Sequence, residues 1–500
     1  MSKIKILDPL IINGFKLNRK GVSIVDGSEY LEIYTDPFRS VPIYIHEGKQ
    51  GLTVFKLFSS FLKENLSFQD LDQTGFYETF LFGTPLWTRT VYKNIKQLPA
   101  ASVATINKRS GKYSIRRYWS FDVSEDSAIK TIEQASEILN SHLERIFNNF
   151  EISENYCMGL SGGMDSRLSL AYLSKRIPKE KLSLFTFGFN KKILEYQYAK
   201  AVSASLRMGE VNFHRIDEST YRSALGYLPL QSLGQVAINH SHIASILRSH
   251  GEQSGIQISN YYSDALFGYA AKLPKKIYIP KTDTYSEILN LSPFVPANVR
   301  EQIVDDIKAV TGGYVDESNY SSVNEYIYIT ERNPKFHFNL AFVQSQYAPT
   351  QTPYADFELL KFMISVPLQF REQKIILDET FRNFFPAVSS SSVKQISSRF
   401  SSRFTSKMNW WSFRLINASN GILRILSDGK FQIFNKFQTE EQERILFTRF
   451  KKDLQDATNK FVSIGLMNAQ TKRFFDHLPM RARGADSRFA IISLAKLVNI

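Results

Sequence analysis

The sequence predicts an α/β protein: a short β-rich N-terminal domain, then a larger domain built on a parallel sheet, closed by a mainly helical C-terminal part. Three observations lead there. Residues 1–118 carry short β-prone segments with turn residues between them. From residue 126 the apolar positions switch to three- and four-residue spacing. Beyond residue 156, short apolar runs alternate with helical patterns, the order that builds parallel βαβ units.

In the first domain, segments 31–34 and 41–46 read as strands, bounded by the turns Asp36-Pro37 and Glu47-Gly48. Residues 113–122, YSIRRYWSFD, read as a last strand and the exit from the domain. Ile129, Ile132, Ala135, Ile138, Leu139, Leu143, Ile146 and Phe147 then mark a helix, which puts the boundary at 120–126. The next pieces are a strand at 156–160, the run SGGMDS, and a helix through 167–173. Strands follow at 182–188, 211–216 and 255–259, with a helix at 194–206 between the first two. Residues 320–500 read as mainly helical, interrupted at 389–406 by a stretch with nine serines that is expected to be a loop. The expected domains are 1–122, 123–400 and 401–500.

Composition narrows the function classes. The 500-residue chain is 43% hydrophobic and 22% charged, ordinary for a globular protein. No run of about 18 uncharged apolar residues appears, so no membrane partner is expected. The start of the chain does not read as a secretory signal. Cys157 is the single cysteine, which excludes an internal disulfide and any CxxC metal or redox motif. A cytoplasmic location fits these features. The net charge of +14 suits a nucleic-acid partner or an anionic substrate such as ATP, but Lys and Arg are scattered without a block of five. A generally basic surface is therefore the simpler reading, and a nucleic-acid partner is not expected.

The sharpest motif is Ser161-Gly162-Gly163-Met164-Asp165-Ser166, between an expected strand and an expected helix. Serine hydroxyls donate to phosphate oxygens. Two glycines let the backbone turn tightly and bring N–H groups close to an anion. The helix N-terminus adds the positive end of its dipole. Asp165 offers a hard oxygen for Mg²⁺. The pattern is not GxxxxGK[ST]. It resembles the modified phosphate loop (PP-loop) of ATP pyrophosphatases, which hold the β- and γ-phosphates while AMP passes to the substrate.

Flanking motifs resemble one branch of that group, the asparagine synthetase family. Phe82-Gly83, Thr90, Tyr92-Lys93, Ile95, Leu98-Pro99 and Ser102 resemble the end of its glutaminase domain, and Asp36-Pro37-Phe38 with Pro42-Ile43-Tyr44 a strand pair of that domain. Tyr118-Trp119 resembles its exit. Ser259-Asn260-Tyr261-Tyr262-Ser263-Asp264 resembles the family's second phosphate-side loop. Thr352-Pro353-Tyr354-Ala355-Asp356 resembles "RxPFLD", Lys374-Ile375-Ile376-Leu377 resembles "KhlLR", and Pro386 with Lys394 matches the family's late lysine motif. The resemblance spans residues 36–400. It implies a truncated Ntn-amidotransferase-like domain followed by an adenine-nucleotide alpha-hydrolase-like synthetase domain. It implies ATP on Leu160, Ser161, Gly162, Gly163, Asp165, Ser166, Phe187, Ser259 and Asn260, and Mg²⁺ on Asp165 and Asp264. Lys394, Lys374 and Tyr261 are the expected catalytic residues, the lysines stabilising developing negative charge.

Departures shape the expected reaction. Ser2 stands where the family has its glutaminase cysteine, and the domain is short for a working glutaminase. Asn260 and Tyr262 replace glycines, Ala265 replaces a glutamate, and Gln351 and Asp378 replace arginines. The expected activity is ATP-dependent formation of an acyl-adenylate from a small-molecule, sugar or peptide carboxylate, then transfer to an amine, without glutamine hydrolysis. Tyr261 or Tyr262 is a candidate to take the proton from that amine. Alternatives are a lasso-peptide-type macrolactam cyclase, as in relatives that have lost the glutaminase, a PP-loop tRNA-modifying enzyme, and a non-catalytic nucleotide-binding relative. Phe187 is read as an adenine contact or a core residue. The pair His240 and His242 lacks an evident third metal ligand. The oligomeric state is left open.

Overall fold

In the N-terminal part the alternation of apolar and polar residues builds two four-stranded sheets. The computed structural model describes residues 3–6, 21–56, 68–121, 128–250, 255–268, 295–312, 320–371, 374–389, 449–477 and 482–497. Strands β1 (Lys3–Ile6), β2 (Val22–Asp26), β3 (Tyr30–Thr35), β4 (Tyr44–Gly48), β5 (Gly51–Phe55), β6 (Ile95–Gln97), β7 (Ser102–Asn107) and β8 (Tyr113–Arg117) pair as β1-β5-β4-β6 and β2-β3-β7-β8. Ile24, Leu31 and Ile33 from one sheet share a core with Ile45, Leu52 and Val54 from the other.

One helix in this part was not legible in the sequence. Residues Gln73–Phe82 are helical, capped by the Asp72 carboxylate, which accepts from the Gly75 N–H at 2.9 Å, and closed by Gly83 at φ +79°. Gly75 is required there, since a Cβ would lie 2.1 Å from the Thr90 carbonyl oxygen.

The second sheet system is parallel throughout. Strands β9 (Tyr156–Gly159), β10 (Leu182–Gly188), β11 (Val211–Arg215), β12 (Ile256–Ile258) and β13 (Thr350–Gln351) lie in the order β11-β10-β9-β12-β13. In chain order that is third, second, first, fourth, fifth, so the winding reverses between β9 and β12. Tyr156, Met158, Leu182 and Leu184 face a core shared with helices Ile132–Asn148, Met164–Arg176, Phe357–Ser365 and Ile375–Phe384. Cys157 and Phe185 face the opposite side, toward Ile246 and Leu247 of helix His242–His250. Helices therefore cover both faces, as parallel sheets need. The two-residue β13 was hidden in a region read as helical.

Two further features went unread. Residues Tyr328–His337 form a ten-residue π-helix with Pro334 inside it, next to the second loop. The helices Lys451–Ser463, Ala469–His477 and Ala482–Leu497 place Phe461, Phe475 and Phe489 in one core with Phe76 and Tyr77 of the N-terminal helix and with Leu228 and Val299 between them. One of the two large cores among the described residues thus runs through all three expected domains. None of the described helices is long and apolar enough to cross a membrane.

Candidate functional site

The first loop leaves the carboxyl end of β9 already folded on itself. The Leu160 N–H extends the ladder to the Phe185 carbonyl at 2.7 Å. Ser161 Oγ accepts from the Gly163 N–H at 3.1 Å and lies 3.1 Å from Ser166 Oγ, which accepts from the Ser161 N–H at 3.2 Å. Gly163 caps the helix Met164–Arg176 in an extended conformation, and no side chain caps it. The first N–H groups of that helix are the kind of donors an anion takes up. Gly162 is needed for a reason the sequence did not reveal: a Cβ there would lie 2.6 Å from the Tyr198 ring, which packs on the loop from helix Leu194–Ser205.

The second loop leaves β12 on the other side of the winding reversal. Ser259 is buried and its N–H reaches the Gln351 carbonyl at 2.8 Å. Asn260 Oδ1 accepts from Ser169 Oγ at 2.6 Å, tying this loop to the helix that follows the first one. Tyr354 makes a second tie: its hydroxyl donates to the Asp165 carbonyl at 3.2 Å and lies 3.0 Å from Ser169 Oγ. Ser169 and Tyr354 carried no signal of this role beyond the position of Tyr354 inside the "RxPFLD"-like segment.

The two tyrosines of this loop part ways. Tyr262 is fully buried, with φ +79°, its ring edge-on to Phe38 at 5.0 Å and its hydroxyl donating to the Ile329 carbonyl at 3.4 Å. It is a core residue and does not face an amine substrate, which corrects one of the two proton-acceptor candidates. Tyrosine holds here the left-handed backbone that the resembling loop gives to glycine. Tyr261 packs parallel to His337 at 5.5 Å and accepts a hydrogen bond from Gln344 Nε2 at 2.8 Å. Burial pushes its phenol up, so it stays protonated at neutral pH.

Both loops converge on Lys374. Its Nζ lies 2.8 Å and 2.7 Å from the two carboxylate oxygens of Asp165 and 2.7 Å from Asp264 Oδ1. The lysine side chain is 3% exposed, against 19% for Asp165 and 45% for Asp264. Its backbone sits at φ +60°, in the left-handed region, at the start of helix Ile375–Phe384. Burial opposes the charge of Lys374, but the two carboxylates outweigh it and hold the ammonium above its ordinary range. Burial pushes the deeper Asp165 up, helped by the charge of Asp264 and only partly countered by Lys374. Burial works the same way on Asp264, but Lys374, with His337 beyond, brings this more exposed carboxyl below its ordinary range.

The lowered Asp264 carboxyl sets a pH dependence of stability. A carboxylate held low stabilises the fold above its unfolded pKa near 4 and loses that contribution as pH falls. Asp264→Asn is expected to destabilise the protein at pH 7, by about 1 kcal/mol or less because the site is half open to solvent. The gap to wild type should narrow toward pH 3. Asp165→Asn removes the carboxylate that takes two of the three hydrogen bonds of the buried Lys374 and is likewise expected to lower the melting temperature at pH 7. Thermal denaturation at both pH values checks this.

The residues present fit Mg²⁺ in type but not in placement. Two carboxylates are hard oxygen donors, yet an ammonium stands between them. Among the described residues, no group of three or more His, Cys, Asp or Glu side chains could hold a metal. His242 is buried, pushed down to about 3 by burial and then by His240, and its Nε2 lies 2.8 Å from the Tyr221 hydroxyl. His240 meets the Phe336 ring edge-on at 4.9 Å. Phe187, at the end of β10, stacks on His242 at 4.8 Å. Lys394 lies outside the described residues.

No protein-family model matches the chain, and no curated protein sequence matches it significantly. Among solved structures it is similar to the U34-tRNA thiolase NcsA from Methanococcus maripaludis with its 4Fe-4S cluster. The identity is 16%, the match covers 41% of this chain and 88% of that one, and the TM-score is 0.19.

Proposed function

We propose that this chain is an ATP pyrophosphatase-type enzyme that activates a carboxylate as an acyl-adenylate and passes it to an amine. One observation carries the reading: loops bearing Ser161, Asp165 and Asp264 leave the carboxyl ends of β9 and β12, astride the winding reversal, and meet on a buried lysine. Open parallel sheets bind ligands at that position. In the proposed reaction, Ser161, Ser166 and the Gly162 N–H hold the β- and γ-phosphates, and the Gly163 N–H joins them by giving up its bond to Ser161 Oγ. A carboxylate oxygen of the substrate attacks the α-phosphorus, the bond to the bridging oxygen breaks, and pyrophosphate leaves with that electron pair. The amine then attacks the acyl carbon, the bond to the phosphate oxygen breaks, AMP leaves with that electron pair, and the amine's proton passes to solvent. Lys374 offsets negative charge as it builds on the phosphates. Mg²⁺, when bound, would supply further neutralisation of the triphosphate, with Asp165 and Asp264 as the residues to hold it.

ATP–pyrophosphate exchange tests this. Wild type with ATP, Mg²⁺ and labelled pyrophosphate, offered pools of amino acids, uronic acids or peptides, should exchange label with one pool. Asp165→Ala should not. Exchange with peptides alone favours the macrolactam reading. No exchange in any pool, with ATP binding that Asp165→Ala weakens, favours a non-catalytic nucleotide-binding relative. The net charge of +14 keeps a tRNA-modifying enzyme as the second reading. Filter binding of bulk tRNA that falls steeply with salt would favour it.

A further inference from the structure

We infer that Lys374 is the resident cation of the Asp165–Asp264 pair, closing it to divalent metal until the phosphates of a nucleotide draw the lysine away, so that nucleotide binds before metal. The second half rests on the proposed function; the first stands on the geometry alone.

A lysine ammonium has three N–H donors. Here all three meet carboxylate oxygens, two on Asp165 and one on Asp264, at 2.7–2.8 Å. Half of the pair's charge is therefore offset by a group that belongs to the chain and is shielded from solvent. The cage is also the wrong size for Mg²⁺, whose oxygens lie at about 2.0–2.1 Å, roughly 0.6 Å closer than these oxygens are to the nitrogen. A divalent cation bridging both carboxylates must displace Lys374 and draw the two aspartates together. A free cation would have to compete with a tethered one. A nucleotide changes the competition. Asp165 lies in the phosphate loop itself, so phosphates seated on Ser161–Ser166 would arrive beside Nζ and bring several anionic oxygens.

The probe is Mn²⁺ alone, followed by electron paramagnetic resonance and by its effect on the melting temperature, with nucleotide-free full-length protein. Lys374→Gln, shown folded by circular dichroism, is expected to bind Mn²⁺ roughly 100-fold more tightly than wild type, because two carboxylates lose their tethered counter-ion. Adding Asp264→Asn to that variant should remove the gain. Mn²⁺ should raise the melting temperature of Lys374→Gln and leave that of wild type unchanged. If folded Lys374→Gln gains no affinity, the inference is overturned. Should that variant not fold, wild type decides. Mn²⁺ binding that Asp264→Asn abolishes overturns the inference, and equally weak binding in both proteins supports it. Calorimetry of ATP in EDTA tests the order: binding without metal supports it, and binding that requires metal overturns it. A chain that takes no ATP with or without metal would sink the proposed function while leaving the Mn²⁺ comparison intact.

Discussion

Lys374→Met is expected to lower ATP–pyrophosphate exchange by about 10²- to 10³-fold, the loss typical of removing one preorganised charge from the place where transition-state charge builds. The geometry makes this the largest effect among the site residues. Lys374 is the cation on which the two loops meet, and it is held by three hydrogen bonds in a nearly buried position. Binding and chemistry should separate. ATP affinity falls less than exchange, because Ser161, Ser166 and the start of helix Met164–Arg176 remain in place. The same assay on Lys394→Met divides the role between the two lysines of the sequence reading. Undiminished exchange in Lys374→Met with loss in Lys394→Met would move the charge-stabilising role to Lys394.

Glu331→Ala is expected to destabilise the fold by about 3–5 kcal/mol, read as a lower midpoint in urea denaturation. Glu331 and Lys335 are fully buried on the π-helix and lie 2.5 Å apart. Glu331 also meets Arg117 at 3.0 Å and accepts from the Trp87 N–H at 3.0 Å. Lys335 donates to the carbonyls of Pro85 and Trp87 at 3.0 and 2.5 Å. Burial, helped by the charge of Arg39, pushes Lys335 down, and Glu331 opposes that shift. Removing the glutamate strands two cations in the interior. Pairing Glu331→Gln with Lys335→Met should recover part of the loss, since the buried ammonium is gone and Arg117 keeps its bonds to the Tyr326 hydroxyl and the Val310 carbonyl. A double-mutant cycle measures the recovery.

Much of the parallel sheet was legible. The strand at residues 182–188 appears as Leu182–Gly188, and those at 156–160, 211–216 and 255–259 appear one or two residues shorter. Apolar runs bounded by turn residues reveal such strands because both faces are buried. The helix Gln73–Phe82 was missed because it is apolar on nearly all sides, leaving no helical period to read. The π-helix was missed because Pro334 reads locally as a breaker, and β13 because two residues carry no period. Of the site, the loop residues and Lys374 were named from motif order. Their meeting was not, since 209 positions separate Lys374 from Asp165. Neither the role of Tyr198 against Gly162 nor the burial of Tyr262 could be read without the fold, for each depends on a neighbour distant in the chain.

The shared core has a consequence for synthesis. Tyr77 and Thr471 meet through their hydroxyls at 3.1 Å across 394 positions, and Phe76 packs edge-on to Phe461 at 5.1 Å. On the ribosome, the helix Gln73–Phe82 emerges early and waits for its partners until nearly the whole chain has been made. At about 5–20 residues per second, that wait is roughly 20–80 s. Through it, Phe76, Tyr77 and Phe80 face water or a chaperone instead of Phe461 and Phe475. The N-terminal segment therefore cannot finish folding first, and the order of translation runs against the order in which its core can close.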